Sequence, residues 1–91
     1  MSKVVSLSEA GFIALHSLIL IARSEKPLNV LEISEITGSS KHHVAKVLQR
    51  LAKENFLLSQ RGPTGGFSLK KKPSEITFLQ IYEAIEGKIE I

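Results

Sequence analysis

Between Phe12 and Ala22 apolar residues recur at helical spacing. Phe12, Leu15, Ile19 and Ala22 form one stripe, which Ile13, Leu18 and Ile21 widen. Ser6 and Glu9 stand three apart just before it. In such a capping box the serine oxygen accepts from the amide three residues on, and the glutamate reaches back. The pattern predicts a first helix from about Leu7 to Arg23. Ser24-Glu25-Lys26-Pro27 then reads as a loop, since proline lacks an amide hydrogen and restricts the residue before it. Asn29 and Glu32 repeat the capping spacing and open a short second helix, with Leu31, Ile33 and Ile36 as its apolar positions. Gly38 is placed to end that helix in a left-handed cap. Ser39 and Ser40 follow as N-cap candidates for a third helix reaching about Glu54. There Val44, Val47, Leu48 and Leu51 form one buried stripe opposite Lys41, His42, Lys46, Gln49, Arg50 and Lys53.

Beyond the third helix the period changes. Phe56-Leu57-Leu58 and Phe67-Ser68-Leu69 flank Arg61-Gly62-Pro63-Thr64-Gly65-Gly66, which predicts a hairpin with a loop longer than two residues. Lys70 to Pro73 ends its second strand. Thr77 with Gln80 is another capping box, opening a helix whose apolar residues are Phe78, Leu79, Ile81, Tyr82 and Ile85 and which Gly87 is placed to end. The order is helix, helix, tight turn, helix, hairpin, helix: mainly α with a small β-hairpin, the winged helix-turn-helix. Residues 1–87 form that single unit. Residues 88–91 read as a C-terminal tail, the start of a further sensing or dimerising segment.

Charge sharpens this picture. The 91 residues carry a net charge of only +3. From Lys41 to Lys72, however, eight basic residues (Lys41, Lys46, Arg50, Lys53, Arg61, Lys70, Lys71 and Lys72) stand against the single acid Glu54. This cationic run coincides with the third helix and the hairpin, and such a surface suits a polyanion. An α-helix fits the major groove of DNA, about 12 Å wide, where each base pair shows a distinct donor and acceptor pattern. Ser39, Ser40, Lys41, His42 and His43 lie at the N-terminal end of the third helix, with Lys46, Gln49 and Arg50 further along it. Lysine and arginine suit guanine edges or phosphates, and glutamine suits adenine. In the wing, Arg61 suits the negative potential of a narrow minor groove. Beside it Gly62, Thr64, Gly65 and Gly66 form a loop whose glycines let backbone approach another molecule closely. The plainer alternative is a solvated charged face for the helix residues and a flexible hairpin tip carrying a charge for the wing.

Other chemistry is poorly served. Cysteine is absent, which removes thiolate ligands, disulfides and a cysteine nucleophile from these residues. His42 and His43 are neighbours on a helix, about 100° apart, and cannot chelate one ion in the usual i, i+4 manner. His16, among apolar residues, reads as a core histidine with a satisfied ring nitrogen. No phosphate-cradling glycine loop, metal-ligand spacing or paired carboxylates in an apolar setting appear, so an enzyme is not expected. No secretory signal and no apolar run near 20 residues are present, which places the expected location in the cytoplasm, away from membranes.

Two segments resemble a known family. Arg61-Gly62-Pro63-Thr64-Gly65-Gly66-Phe67-Ser68-Leu69 is similar to the wing signature R-G-P-x-G-G-[YF]-x-L of the bacterial winged-helix regulators that include the iron–sulfur cluster regulator IscR and the nitric-oxide-sensing repressor NsrR. Ile76 to Gly87 resembles their I-T-[LV]-x-[DE]-[IV]-x-x-A-[IV]-E-G, and Ala14-Leu15 and Leu48-x-x-Leu51 fall where that family has its core. The resemblance implies a homodimeric DNA-binding repressor or activator, a repressor in the first instance, at a roughly palindromic promoter site. It puts the third helix (about 40–54) in the major groove and the wing (61–66) near the minor groove. Family members often carry an aromatic residue and an acid early in the third helix. Here the residues are His42-His43-Val44-Ala45, so base preference does not carry over. Cluster-binding members also have three cysteines shortly after the position of Gly87. None is present, so no cofactor is expected in this chain, and an iron–sulfur cluster belongs only to a longer protein. The competing function is a winged-helix protein-interaction module without DNA binding.

Overall fold

A computed structural model describes residues 8–87 of the chain. Helix α1 (Glu9–Arg23) is capped by Ser8, whose side chain accepts from the Gly11 amide. Because Ser8 is extended and Glu9 is the first helical residue, the helix starts later than the expected Leu7 and takes its cap from Ser8 instead of the Ser6–Glu9 box. The tail at 88–91 lies outside the described residues. Helix α2 (Val30–Thr37) carries the expected capping box: Asn29 Oδ1 accepts from the Glu32 amide at 2.8 Å, and Glu32 Oε1 from the Asn29 amide at 2.9 Å. Gly38 ends α2 at φ 78°, in the left-handed region. Ser40 caps α3 (Lys41–Lys53). Strands β1 (Leu57–Gln60) and β2 (Gly66–Leu69) pair antiparallel, with Leu57 opposite Leu69 and Gln60 opposite Gly66. A single 3₁₀ turn (Pro73–Glu75) leads to α4 (Phe78–Glu86), opened by the Thr77–Gln80 box.

One core serves all these elements. Ile13, Ala14, Leu18 and Ile21 of α1 meet Ile33 of α2, the α3 stripe, Phe56, Leu57, and Ile81 and Ala84 of α4. The α3 stripe is buried as its spacing predicts, with Val44, Leu48 and Leu51 at 0% exposure and Val47 at 4%. On α1 the outcome differs from the expectation. The face turned inward holds Ile13, Ala14, Ser17, Leu18 and Ile21, whereas Phe12 and Ile19 are 54% and 44% exposed. A helix apolar on nearly all sides has no unique inward stripe in its sequence. Packing selects the face with the small residues Ala14 and Ser17, which let neighbouring helices approach. His16 is not a core histidine. It is half-buried, four residues from Phe12 on the same outward side, with its ring edge-on to that phenyl at 4.2 Å between centroids. Leu31 and Ile36 of α2, and Phe78 and Leu79 of α4, are likewise exposed.

A third extended segment is absent from the hydrophobic pattern. Leu28 exchanges two backbone hydrogen bonds with Phe67, at 3.1 and 2.7 Å, and so fastens the α1–α2 connection along β2. Gly66 makes this approach feasible: a Cβ built there would stand 2.6 Å from the Leu28 carbonyl oxygen, and its φ is +148°. Among the described residues no helix is long and apolar enough to cross a membrane.

Three measurable consequences follow from these contacts. Ser17 is fully buried, and its hydroxyl has no partner among the described residues. Since an orphaned buried hydroxyl costs about 1–3 kcal/mol, Ser17→Ala should stabilise the fold by about 1 kcal/mol in urea unfolding. Gly66→Ala must push two backbones apart and should lower Tm by at least about 4 °C in a thermal melt. Finally, the Lys26 ammonium, 2.8 Å from Glu32, and then the Asn29 amide hold the Glu32 carboxyl below its usual range. The unfolded chain therefore takes up this proton first as pH falls. The contribution of Glu32 to stability is full above the ordinary glutamate range and is lost on passing down through its folded value. Urea midpoints of the native chain and Glu32→Gln, compared from about pH 7 to pH 3, should differ near neutrality and converge in acid.

Candidate nucleic-acid interface

A three-residue turn, Gly38 to Ser40, joins α2 to α3. Ser39 is held within it: its carbonyl accepts from Ser34 Oγ at 2.9 Å, and its amide donates to Thr37 Oγ1 at 3.3 Å. Ser40 Oγ accepts from the His43 amide at 3.1 Å. Both serines thus have a role in building the turn, and Ser40 is also exposed beside Lys41.

The buried stripe fixes the rotation of α3 about its axis, and at about 100° per residue that fixes every other side chain. His42, Lys46, Gln49 and Lys53 form the ridge opposite the core, and all four are exposed. Lys53 belongs to this ridge as fully as the others. His43 and Arg50 fall to one side of it, toward α1 and α4. His43 is half-buried, with Nδ1 3.8 Å from Glu9 Oε1. Arg50 Nε donates to the Ala84 carbonyl at 2.9 Å and lies 3.8 Å from Glu54 Oε2. Lys41 lies toward the other side, exposed in the first turn. The structure therefore distributes the candidate residues of α3 over the outward ridge, the flank of His43 and Arg50, and the opposite flank at Lys41.

In the wing, Arg61, Gly62, Pro63 and Thr64 are exposed, while Gly65 is half-buried and Gly66 buried. Gly65 donates its amide to the Gly62 carbonyl at 3.0 Å and closes the loop. A Cβ on Gly65 would collide with the Gln60 carbonyl oxygen. The close approach that Gly65 and Gly66 allow is thus to the chain itself. Only Gly62, with nothing within 4 Å of an added Cβ, leaves open space for another molecule, as expected of the whole loop.

Part of the cationic run is used inside the fold. Lys70 Nζ donates to Asn55 Oδ1 at 3.1 Å, and Lys71 Nζ sits 4.4 Å from the centre of the Phe56 ring. Asn55, at φ 70°, turns the chain from α3 into β1. Its side chain and the Phe56 ring give the two lysines local partners that charge counting does not reveal. The proximity of Glu9 to His43 was equally invisible, because they lie 34 positions apart and only packing joins α1 to α3.

These elements have counterparts in known proteins. The family model described as "Rrf2: Iron-dependent Transcriptional regulator" matches residues 7–91. The chain is 33% identical over 78 residues to the HTH-type transcriptional regulator IscR of Photorhabdus laumondii, covering 86% of this chain and 44% of that protein. It is 37% identical over 64 residues to a putative HTH-type transcriptional regulator of Aquifex aeolicus, covering 70% of this chain and 44% of that protein. It therefore spans less than half the length of these curated relatives. Among solved structures it superposes on CymR, the global cysteine regulator of B. subtilis, with TM-score 0.87 and 26% identity, covering 97% of this chain and 72% of that one. IscR of T. potens gives TM-score 0.82 and 25% identity, over 96% and 65%. The donor set of this chain does not fit an iron–sulfur cluster. It contains no cysteine, and the described residues hold no group of three His, Cys, Asp or Glu able to grip a metal. With a family model matching nearly its whole length and a winged helix-turn-helix in the same arrangement, the chain belongs to the Rrf2 family of transcriptional regulators.

Proposed function

We propose that this chain is the part of a transcription regulator that binds double-stranded DNA. In this reading α3 lies in the major groove, and the wing tip at Arg61, Gly62 and Thr64 lies near the minor groove. One observation carries it: α3 is locked to the core along one face and presents His42, Lys46, Gln49 and Lys53, all exposed, along the other. A recognition helix needs both properties, since side chains can read base edges only from a fixed backbone. The names of the relatives, transcriptional regulators from several bacteria, support the same reading. As a regulator of this family it would act in the bacterial cytoplasm as a homodimer on a two-fold site, with repression as its mode. Two copies related by a two-fold axis would place their α3 helices in successive major grooves, about 34 Å apart.

The test is fluorescence anisotropy of a labelled duplex titrated with the chain at several salt concentrations. Binding should weaken steeply with salt. Lys46→Ala and Arg61→Ala should each weaken it and flatten the log–log slope by about 0.9 for each phosphate no longer neutralised. If the chain is silent at low salt, fusion to a dimeric coiled coil should restore binding. Continued silence of the fusion would overturn the DNA reading in favour of a protein-docking module.

A further inference from the structure

An open cavity of about 330 Å³ lies where the first turn of α1, the side of α3 and the end of α4 meet. Ala10, His43, Lys46, Val47, Arg50 and Ile85 line it. Three of these six side chains carry nitrogen donors, and all three come from α3. His43 and Arg50 are seven residues apart, hence about 10 Å along the helix axis on nearly the same side, with Lys46 between them and closer to the outer ridge. We infer that this cavity is a phosphate seat. Its His43 and Arg50 side chains, with Lys46 at the rim, take an oxyanion of the DNA backbone beside the groove that α3 enters. This inference rests on the DNA reading and adds a division of labour to it. The ridge of His42, Gln49 and Lys53 faces base edges, and the side of His43 and Arg50 faces a strand.

The surrounding charges fit an anion that comes and goes. Glu9 from α1 approaches His43 at 3.8 Å, and Glu54, on the residue ending α3, approaches Arg50 at 3.8 Å. Both separations are too long for direct hydrogen bonds, so neither carboxylate saturates the donors it faces. Glu9 is 73% exposed and free to swing aside. Glu86, at the end of α4, accepts from the amide and hydroxyl of Ser8 and is engaged there. Arg50 is held in place through Nε by the Ala84 carbonyl, so ordering its guanidinium for a phosphate costs little additional side-chain entropy. His43 has an N–H to donate in either protonation state. Glu9 then acts as a weak internal competitor that a phosphate displaces. Phosphate contacts of this kind fix the register of a protein on DNA without reading sequence.

The same donors would accept a free phosphate, and the experiment separates the two sources. The native chain is titrated with a duplex and, separately, with inorganic phosphate, while NMR follows the His43 ring and the Arg50 side chain and anisotropy reports duplex affinity. Duplex should shift both signals. Glu9→Gln removes the competing carboxylate and should tighten duplex binding by about two- to threefold. His43→Gln should weaken it by about fivefold, and Arg50→Gln should flatten the salt slope by about 0.9. A thermal melt of each variant checks folding, and the surface variant Glu9→Gln keeps the test decisive if Arg50→Gln unfolds. If inorganic phosphate saturates both signals and duplex moves neither, the seat belongs to free phosphate and the DNA assignment is overturned. If Arg61→Ala weakens duplex binding while Glu9→Gln and His43→Gln leave it unchanged, the seat is overturned and the DNA reading stands. Silence of both the chain and its dimeric fusion removes both.

Discussion

Everything that faces solvent on α3 is set by what that helix buries. Val44, Val47, Leu48 and Leu51 lie within the core, three of them with no exposed surface and Val47 with 4%. Burying such side chains is worth about 1.5–3 kcal/mol each, a large share of the roughly 5–15 kcal/mol that separates a small domain from its unfolded chain. Rotating α3 by one residue would bring either His43, Lys46 and Arg50 or Ala45, Gln49 and Ala52 into the core, and Val44 and Leu51 out of it. The apolar stripe therefore acts as an orientation lock, and the outward ridge is aimed as a by-product of core packing. The other elements complete this lock. α1 offers Ile13, Ala14 and Leu18 beneath it, the start of the hairpin adds Phe56 and Leu57, and α4 closes it with Ile81 and Ala84.

The wing depends on a second, smaller constraint. A two-stranded hairpin is marginal by itself in water. Here β2 is held on both edges, by β1 along one and by the Leu28 backbone along the other. Gly66 stands where Leu28 crosses, and Asn55 in the left-handed region turns the chain from the end of α3 into β1. The loop that bears Arg61 thus springs from a base tied to both helices of the helix-turn-helix. The wing signature that links this chain to its family contains, in Gly65 and Gly66, two residues whose place is explained by the fold itself.

Charge has a similar double use. The cationic run from Lys41 to Lys72 is uniform as sequence, but the structure divides it. His42, Lys46, Gln49 and Lys53 are presented outward, while Arg50 is fastened to α4 and sits near Glu54. Lys70 and Lys71 meet Asn55 and the Phe56 ring at the base of the hairpin. Counting the cationic run therefore hides which of its members already have partners inside the fold. It also conceals the acid, Glu9, that stands beside the third helix.

The sequence by itself determined the order of elements, the caps of α2, α3 and α4 and the inward stripe of α3, because these rest on interactions between residues a few positions apart. Asn29 with Glu32, Gly38, Ser40 and Thr77 with Gln80 do locally what their spacing requires. It also determined most of the candidate surface, since a helix with one apolar face leaves only one direction for its polar side chains. Tertiary structure decided what local pattern leaves degenerate. It chose which face of the nearly all-apolar α1 turns inward, which placed Phe12, His16 and Ile19 outside. It joined Leu28 to Phe67 across 38 intervening residues, and Glu9 to His43 across 33. A contact between residues far apart along the chain forms only when packing brings them together, and neither partner carries a local mark of the other.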